Sequence, residues 1–108
     1  HWTRDRKRGP LLPLEHVVHR QTQQTANFYG LYDRGVIASG FRADINIIDY
    51  DNLGFDVPRM AYDLPANGRR LVQHGQGYKA TFVAGVQTVD NDSFTGQLPG
   101  RLVRGPQR

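Results

Sequence analysis

The sequence predicts a mainly β domain with one α-helix near its amino-terminal end. Residues 14–29 carry apolar side chains at helical spacing, as expected for a helix with one apolar face. After Gly30 the pattern changes to short β-branched runs separated by turn residues, which is typical of small antiparallel sheets. No second stretch of helical periodicity follows, so we expect one helix and then a sheet.

The predicted helix runs from Leu14 to Tyr29. Pro13 suits its first turn, where a backbone N–H has no partner inside the helix, and Gly30 suits its carboxyl-terminal stop. Polar residues interrupt the apolar face, so we expect the helix to need a partner surface. That face consists of Leu14, Val17, Val18, Ala26 and Tyr29.

Strands are expected from Val36 onward. One weakly extended run, residues 57–64, contains Pro58 and is followed by Pro65, which favours an edge strand or a loop there. Dipeptides such as Asn67-Gly68 and Ala84-Gly85 predict tight turns between strands. The predicted strands are residues 43–49, 57–64, 69–74, 78–83 and 86–89, with turns at 67–68, 84–85 and 91–92 and an irregular chain from Gly96.

Composition and charge exclude several classes of protein. The net charge of +4 is concentrated in the first and last eight residues, whereas the residues between them are slightly acidic. A nucleic-acid domain usually gathers basic and aromatic residues on one face, so we expect no nucleic-acid partner. No run approaches the roughly 18 apolar residues of a membrane span. With Cys 0 and no secretory segment, we expect a cytoplasmic protein without disulfides.

A set of motifs spread over residues 25–49 resembles the closing signature of the amidohydrolase superfamily. There, the last helix of a TIM barrel is followed by a glycine-rich turn and an Ala-Asp strand of a small β-sandwich. The resemblance therefore implies the sheet part of a composite domain that flanks an amidohydrolase TIM barrel. The motifs are Thr25-Ala26, Tyr29-Gly30-Leu31, Asp33-Arg34-Gly35, Gly40 and Ala43-Asp44 with Asp49.

Two flanking regions are similar to N-acyl-D-amino-acid deacylases (amidohydrolase family 3). The resemblance implies residues 1–30 as the last barrel segment and helix, and residues 31–108 as the carboxyl-terminal part of the sandwich and tail. One departure is Ala66-Asn67-Gly68, where the family more often has Ala-Gly-Gly. The flanks are His1-Trp2-Thr3-Arg4-Asp5-Arg6 with Leu12-Pro13-Leu14-Glu15, and Asp63-Leu64-Pro65, Gly68-Arg69-Arg70-Leu71, Gly77-Tyr78 and Pro99-Gly100-Arg101-Leu102-Val103-Arg104-Gly105.

The same resemblance implies the chemistry of a longer parent enzyme. Its members hydrolyse the amide of N-acyl amino acids, often on a D-amino acid, with zinc activating water. Their metal ligands and catalytic Asp precede the region that resembles this chain. We therefore expect no catalytic and no metal-binding residue here, and the rest of the parent chain as the partner. Because the sequence starts at His1 and not at Met, we also expect it to be cut from a longer polypeptide.

Seven residues are singled out for a role. By the resemblance, His1 and Arg4 emerge where the last barrel strand ends, which is the end at which barrel active sites lie, so they are candidates for the substrate mouth. Salt bridges and packing under the helix are the competing interpretation. A structural role in turns and strand ends is expected for Gly35, Gly40, Ala43, Asp44 and Asp49.

Two further expectations complete the interpretation. The alternative to an enzyme segment is a free-standing β module that binds a partner through Trp2 and the Arg-rich ends.

In the family the sandwich also takes strands from the parent's amino terminus, so this piece alone should have an unpaired sheet edge. Exposed edges and an uncovered helix face favour self-association, so we expect dimers or swapped assemblies at high concentration.

Overall fold

The structure is a computed structural model that describes residues 1–107. The chain forms two compact units: His1–Asp44 with the residues from Gly100 onward, and Ile45–Pro99. The first unit contains the helix and the second contains all the strands, so the predicted fold class is confirmed. None of the helices in residues 1–107 has the length and apolar character that a membrane span requires.

The predicted helix is present, with an irregular middle. It consists of α1 (Leu14–His19), a π-helical turn (Arg20–Gln24) and α2 (Thr25–Phe28). The Thr22 hydroxyl donates a 2.8 Å hydrogen bond to the Val18 carbonyl, and the Thr25 hydroxyl donates a 2.7 Å bond to the Arg20 carbonyl. These hydroxyls satisfy carbonyls where the regular helical ladder is disturbed.

The expectation that strands begin at Val36 is wrong, because the first strand begins at Ile45. Gly35 and Gly40 adopt positive φ angles of 85° and 86°, which bend the chain away from an extended path. The Arg42 amide donates a 2.7 Å bond to the Asp33 carbonyl and closes these residues into a loop. Near the other end of the same unit, Leu31 forms a single parallel bridge with Gln107.

The second unit contains eight strands: β1 (Ile45–Ile48), β2 (Gly54–Phe55), β3 (Arg59–Leu64), β4 (Gly68–Val72), β5 (Gly75–Gln76), β6 (Tyr78–Val83), β7 (Val86–Asp90) and β8 (Ser93–Phe94). Four of them form an antiparallel sheet in the order β1-β6-β7-β8. Two separate two-stranded ribbons, β2–β5 and β3–β4, lie between β1 and β6 in the sequence.

The predicted turns match the observed hairpins closely. Ala84 and Gly85 have φ angles of 51° and 78° and join Val83 to its pairing partner Val86, which is the backbone of a type I′ turn. A similar turn at residues 91–92 joins β7 to β8, a short strand that the sequence did not predict. In the β3–β4 hairpin the positive φ angles fall on Ala66 and Asn67, one residue earlier than the predicted Asn67-Gly68.

The chain buries few of its apolar side chains. Among the described residues only Ala26 and Ala80 form a buried apolar core, with exposures of 8% and 9%. The accessible surface is 8856 Å², whereas two independent compact bodies of half this mass would together expose about 7,300 Å². Roughly 1,600 Å² is therefore open beyond what compact units of this size expose.

Candidate functional site

The motif residues of the first unit form a cluster of alternating charges, which we call the Asp–Arg cluster: Asp33, Arg34, Arg42 and Asp44. Arg34 donates to both carboxylate oxygens of Asp33 at 2.8 Å and 3.0 Å. Arg42 Nε lies 3.0 Å from one carboxylate oxygen of Asp44 and 3.1 Å from the other. A 3.7 Å contact between Arg34 and Asp44 links the two pairs.

Within the Asp–Arg cluster, the contact between Asp33 and Arg34 favours the charged form of both side chains. The hydrogen bonds from Arg34 hold the pKa of Asp33 below its ordinary value of 3.8, and the same bonds raise the pKa of Arg34. A carboxylate that stays ionised and accepts two guanidinium bonds is poorly suited to carry a proton in catalysis at neutral pH. The ion pairs of the cluster therefore hold the loop between residues 33 and 44, and the Asp33–Arg34 pair is not suited to act as an acid or base.

Gly35 brings this loop against the helix. A Cβ added at Gly35 would lie 2.8 Å from the Gln23 Cα and 2.9 Å from the Gln23 backbone nitrogen, in the π-helical turn. Gly40 has the same backbone conformation, but a Cβ there would meet nothing within 4 Å. Of these two glycines, Gly35 therefore combines a positive φ with close approach to another backbone, whereas Gly40 has the positive φ alone. Ala43 is half-buried and lies just before β1.

Asp49 holds the turn that follows β1 in the second unit. Its carboxylate accepts hydrogen bonds from the backbone N–H of Asn52 at 3.3 Å and from the Asn52 side chain at 3.0 Å. These bonds hold the pKa of Asp49 below its ordinary value, and Lys79 adds an ion pair at 3.7 Å. The contacts are those of a carboxylate that closes a turn.

The candidate mouth residues lie in a loop that folds around Trp2. The His1 ring meets the Trp2 ring edge-on at 5.8 Å, and the Arg6 guanidinium lies 4.8 Å above that ring. Arg4 donates two bonds to Asp5 at 3.0 Å and 3.2 Å and thereby lowers the pKa of Asp5. The Leu12 amide donates to the Trp2 carbonyl at 3.0 Å and closes the loop. His1 and Arg4 thus share one loop, next to the start of α1.

The residues present do not fit a zinc site. Structural and catalytic zinc sites take three or four ligands, and no group of three or more His, Cys, Asp or Glu among residues 1–107 could hold a metal ion. His16 and His19, which are three positions apart on α1, are both exposed. We therefore derive no reaction step through a metal on these residues.

Two depressions mark the surfaces of the separate units. In the first unit, an open groove of about 420 Å³ runs along the helix and is lined by Leu14, Val18 and Val36 among others. In the second unit, a smaller depression of about 240 Å³ is lined by His74, Tyr78 and Asp92 among others. The carboxylate of Asp92 accepts bonds from the Gly77 amide at 3.0 Å and the Tyr78 amide at 2.6 Å, and so serves the sheet.

Comparison with known families decides what these motifs belong to. The profile described as "Amidohydrolase family" matches residues 1–89, which include the Asp–Arg cluster, Gly35 and the Asp49 turn. The chain belongs to the amidohydrolase family. The resemblance of its motifs to that family is confirmed.

Two curated relatives point in the same direction. An N-acyl-D-aspartate deacylase and a D-aminoacylase, both from Alcaligenes xylosoxydans xylosoxydans, are each 30% identical to this chain over 93 residues. The aligned region covers 86% of this chain but 17% of each relative, so the chain spans about a sixth of the length of the relatives that it matches. No solved structure matches the chain at a significant level.

The sequence alone did not reveal the ion pairs that join the motif residues. The family motif contains Asp33, Arg34 and Asp44 but not Arg42, which is the second cation of the cluster. The signal was available, because Asp-Arg and Arg-x-Asp spacings place opposite charges on either side of a short loop. No pattern in the sequence predicts the π-helical turn against which Gly35 packs.

Proposed function

We propose that this chain is the carboxyl-terminal part of a metal-dependent amidohydrolase that cleaves the amide bond of N-acyl-D-amino acids. The observation that carries the proposal is the alignment with two deacylases over 86% of the chain. In this proposal the zinc ligands and the catalytic Asp lie in the preceding polypeptide, so the chain itself is structural. We place the enzyme in the cytoplasm, with which the absence of cysteine is compatible.

The structural role follows from what each unit leaves uncovered. The helix presents Leu14 and Val18, with exposures of 38% and 47%, along an open apolar groove. We propose that this groove packs against the barrel and that the sheet of the second unit completes a β-sandwich with amino-terminal strands of the parent. Burying such surfaces is favourable by about 25 cal/mol per Å² of apolar area.

The experiment compares this chain with the longer polypeptide that contains it. The longer protein should hydrolyse N-acetyl-D-amino acids in preference to the L-forms, and should lose zinc and activity on treatment with a chelator. The 108-residue chain alone should show neither activity nor stoichiometric zinc by elemental analysis. One tightly bound zinc per isolated chain, or a native Met start just before His1 in the gene, would overturn the proposal. A Met start would favour a free-standing β module.

We also propose that His1 and Arg4 lie near the substrate mouth of the whole enzyme. The support for this proposal is that both residues share the loop around Trp2 at the start of α1, which the family resemblance implies to be the last barrel helix. In the longer protein, Arg4→Gln should raise KM for an N-acyl-D-amino acid more than it lowers kcat. Arg8→Gln in the same basic segment is the matched control. Equal effects of the two changes would assign Arg4 to packing with Asp5.

A further inference from the structure

Arg6 lies in the middle of the loop that carries His1 and Arg4. Its guanidinium carbon lies 4.8 Å from the centre of the Trp2 ring, and its Nη1 atom donates a 3.2 Å hydrogen bond to the Pro10 carbonyl. A cation over an indole face and a hydrogen bond from a charged donor are both stabilising, even where the ring is partly exposed to water. One side chain therefore contacts both sides of the loop.

The local sequence leaves room for this arrangement. Arg6 is half-buried, whereas Lys7 and Arg8, the basic residues that follow it, are exposed. Gly9 has a positive φ of 71°, and a Cβ added there would lie 3.2 Å from the Arg6 Nη2 atom. A glycine at this position therefore lets the guanidinium lie against the loop. Of these neighbouring cations, Arg6 is the one that the loop packs around.

Trp2 connects Arg6 to the candidate mouth residues. The Trp2 ring meets the His1 ring edge-on at 5.8 Å, and the Trp2 carbonyl accepts a 3.0 Å hydrogen bond from the Leu12 amide. Trp2 is 53% exposed, so burial alone does not hold its ring in one place. The guanidinium above the ring supplies a further contact, and Arg6 can therefore influence His1 through Trp2.

We propose that Arg6 is a positioning residue for the substrate mouth: it holds the Trp2 ring, and through that ring it fixes the position of His1. This role rests on the proposed function, in which the loop borders the mouth of an N-acyl-D-amino-acid amidohydrolase. Arg6 acts without touching the substrate. When its contacts are lost, the loop samples other arrangements, and the apparent affinity for substrate falls with the fraction of enzyme whose loop is ordered.

Steady-state kinetics of the longer protein test this role. Arg6→Gln should raise KM for an N-acetyl-D-amino acid about threefold and leave kcat nearly unchanged, because bound substrate restores the ordered loop. Arg6→Lys keeps a cation for the Trp2 ring and should recover part of the loss. Arg8→Gln, the same change at an exposed neighbour, is the control and should leave both constants unchanged. Misfolding would instead lower the apparent kcat, because it removes active enzyme.

A double variant separates positioning from direct contact with the substrate. Trp2→Leu should raise KM about as much as Arg6→Gln, and Trp2→Phe, which keeps an aromatic face, should raise it less. If Arg6 acts through Trp2, the variant with both Arg6→Gln and Trp2→Leu should be no worse than the worse single variant. Effects on KM that multiply in the double variant would show that Arg6 acts independently of Trp2, and would overturn the proposal.

Fluorine NMR tests the contact without enzyme turnover. The longer protein is prepared with fluorotryptophan, and the resonance that disappears in Trp2→Phe belongs to Trp2. Arg6→Gln should shift this resonance, because a cation no longer lies over the ring, whereas Arg8→Gln should leave it in place.

The two measurements distinguish failure of this role from failure of the proposed function. A longer protein that hydrolyses no N-acyl-D-amino acid overturns the proposed function, and the role of Arg6 at the mouth with it, even if the fluorine resonance shifts. With an active protein, an unshifted resonance or an unchanged KM in Arg6→Gln overturns the role of Arg6 and leaves the proposed function intact. Equal effects of Arg6→Gln and Arg8→Gln would overturn it in the same way.

Discussion

At the scale of single residues, Gly35 and Gly40 have the same backbone conformation but different surroundings. Ala at either position would bear the strain of a positive φ, which costs about 1–2 kcal/mol. Ala at Gly35 would also press its Cβ onto the backbone of the π-helical turn, 2.8 Å from the Gln23 Cα. We therefore predict that Gly35→Ala destabilises the chain by about 3 kcal/mol and Gly40→Ala by about 1 kcal/mol.

Urea denaturation followed by the helical circular dichroism signal measures this difference. Gly40→Ala is the matched control, because a Cβ there would meet nothing within 4 Å. If the two variants lose equal stability, the contact between loop and helix does not contribute to the free energy of unfolding. Gly35 would then be needed for its φ angle alone.

At the scale of elements, the tip of the β3–β4 hairpin is strained, because an alanine stands where the backbone conformation favours glycine. Ala66 has a φ of 55° and a ψ of 34°, a left-handed conformation that costs a non-glycine residue about 1–2 kcal/mol. Glycine removes that strain but adds about 0.4–1 kcal/mol of unfolded-state entropy cost. The strain term is the larger, so Ala66→Gly should stabilise the hairpin by about 0.5 kcal/mol.

The measurement is the midpoint of thermal unfolding of the chain, read from strand signals. Asn67→Gly is the control: Asn67 has a φ of 57°, but asparagine tolerates this region better than alanine. Asn67→Gly should therefore give the smaller gain. A lower midpoint for Ala66→Gly than for the wild type would show that the added entropy of the unfolded chain outweighs the relief of strain at this turn.

The same elements show how far the sequence predicts the structure. The helix and the Ala84-Gly85 turn were predictable because helical periodicity and turn dipeptides act over a few neighbouring residues. The short strands β2, β5 and β8 were not, because two-residue pairings depend on contacts with distant parts of the chain. The motif residues could be named from the sequence, but the ion pairs that join Arg34 and Arg42 to Asp44 depend on how the loop closes.

At the scale of the whole molecule, stability should be unevenly distributed. Strand β6 is paired on both sides, with β1 and β7, and carries Ala80, which is 9% exposed. The ribbons β2–β5 and β3–β4 have two strands each and bury no residue. Local opening costs least where few apolar contacts and many exposed backbone bonds are found. The ribbons should therefore open well before the four-stranded sheet.

Hydrogen exchange on the dilute chain measures this order directly. Amides of β6 should exchange at least about tenfold more slowly than those of β3 and β4, a gap of 1.4 kcal/mol or more in opening free energy. Ribbon amides that exchange as slowly as β6 in dilute solution would contradict this order.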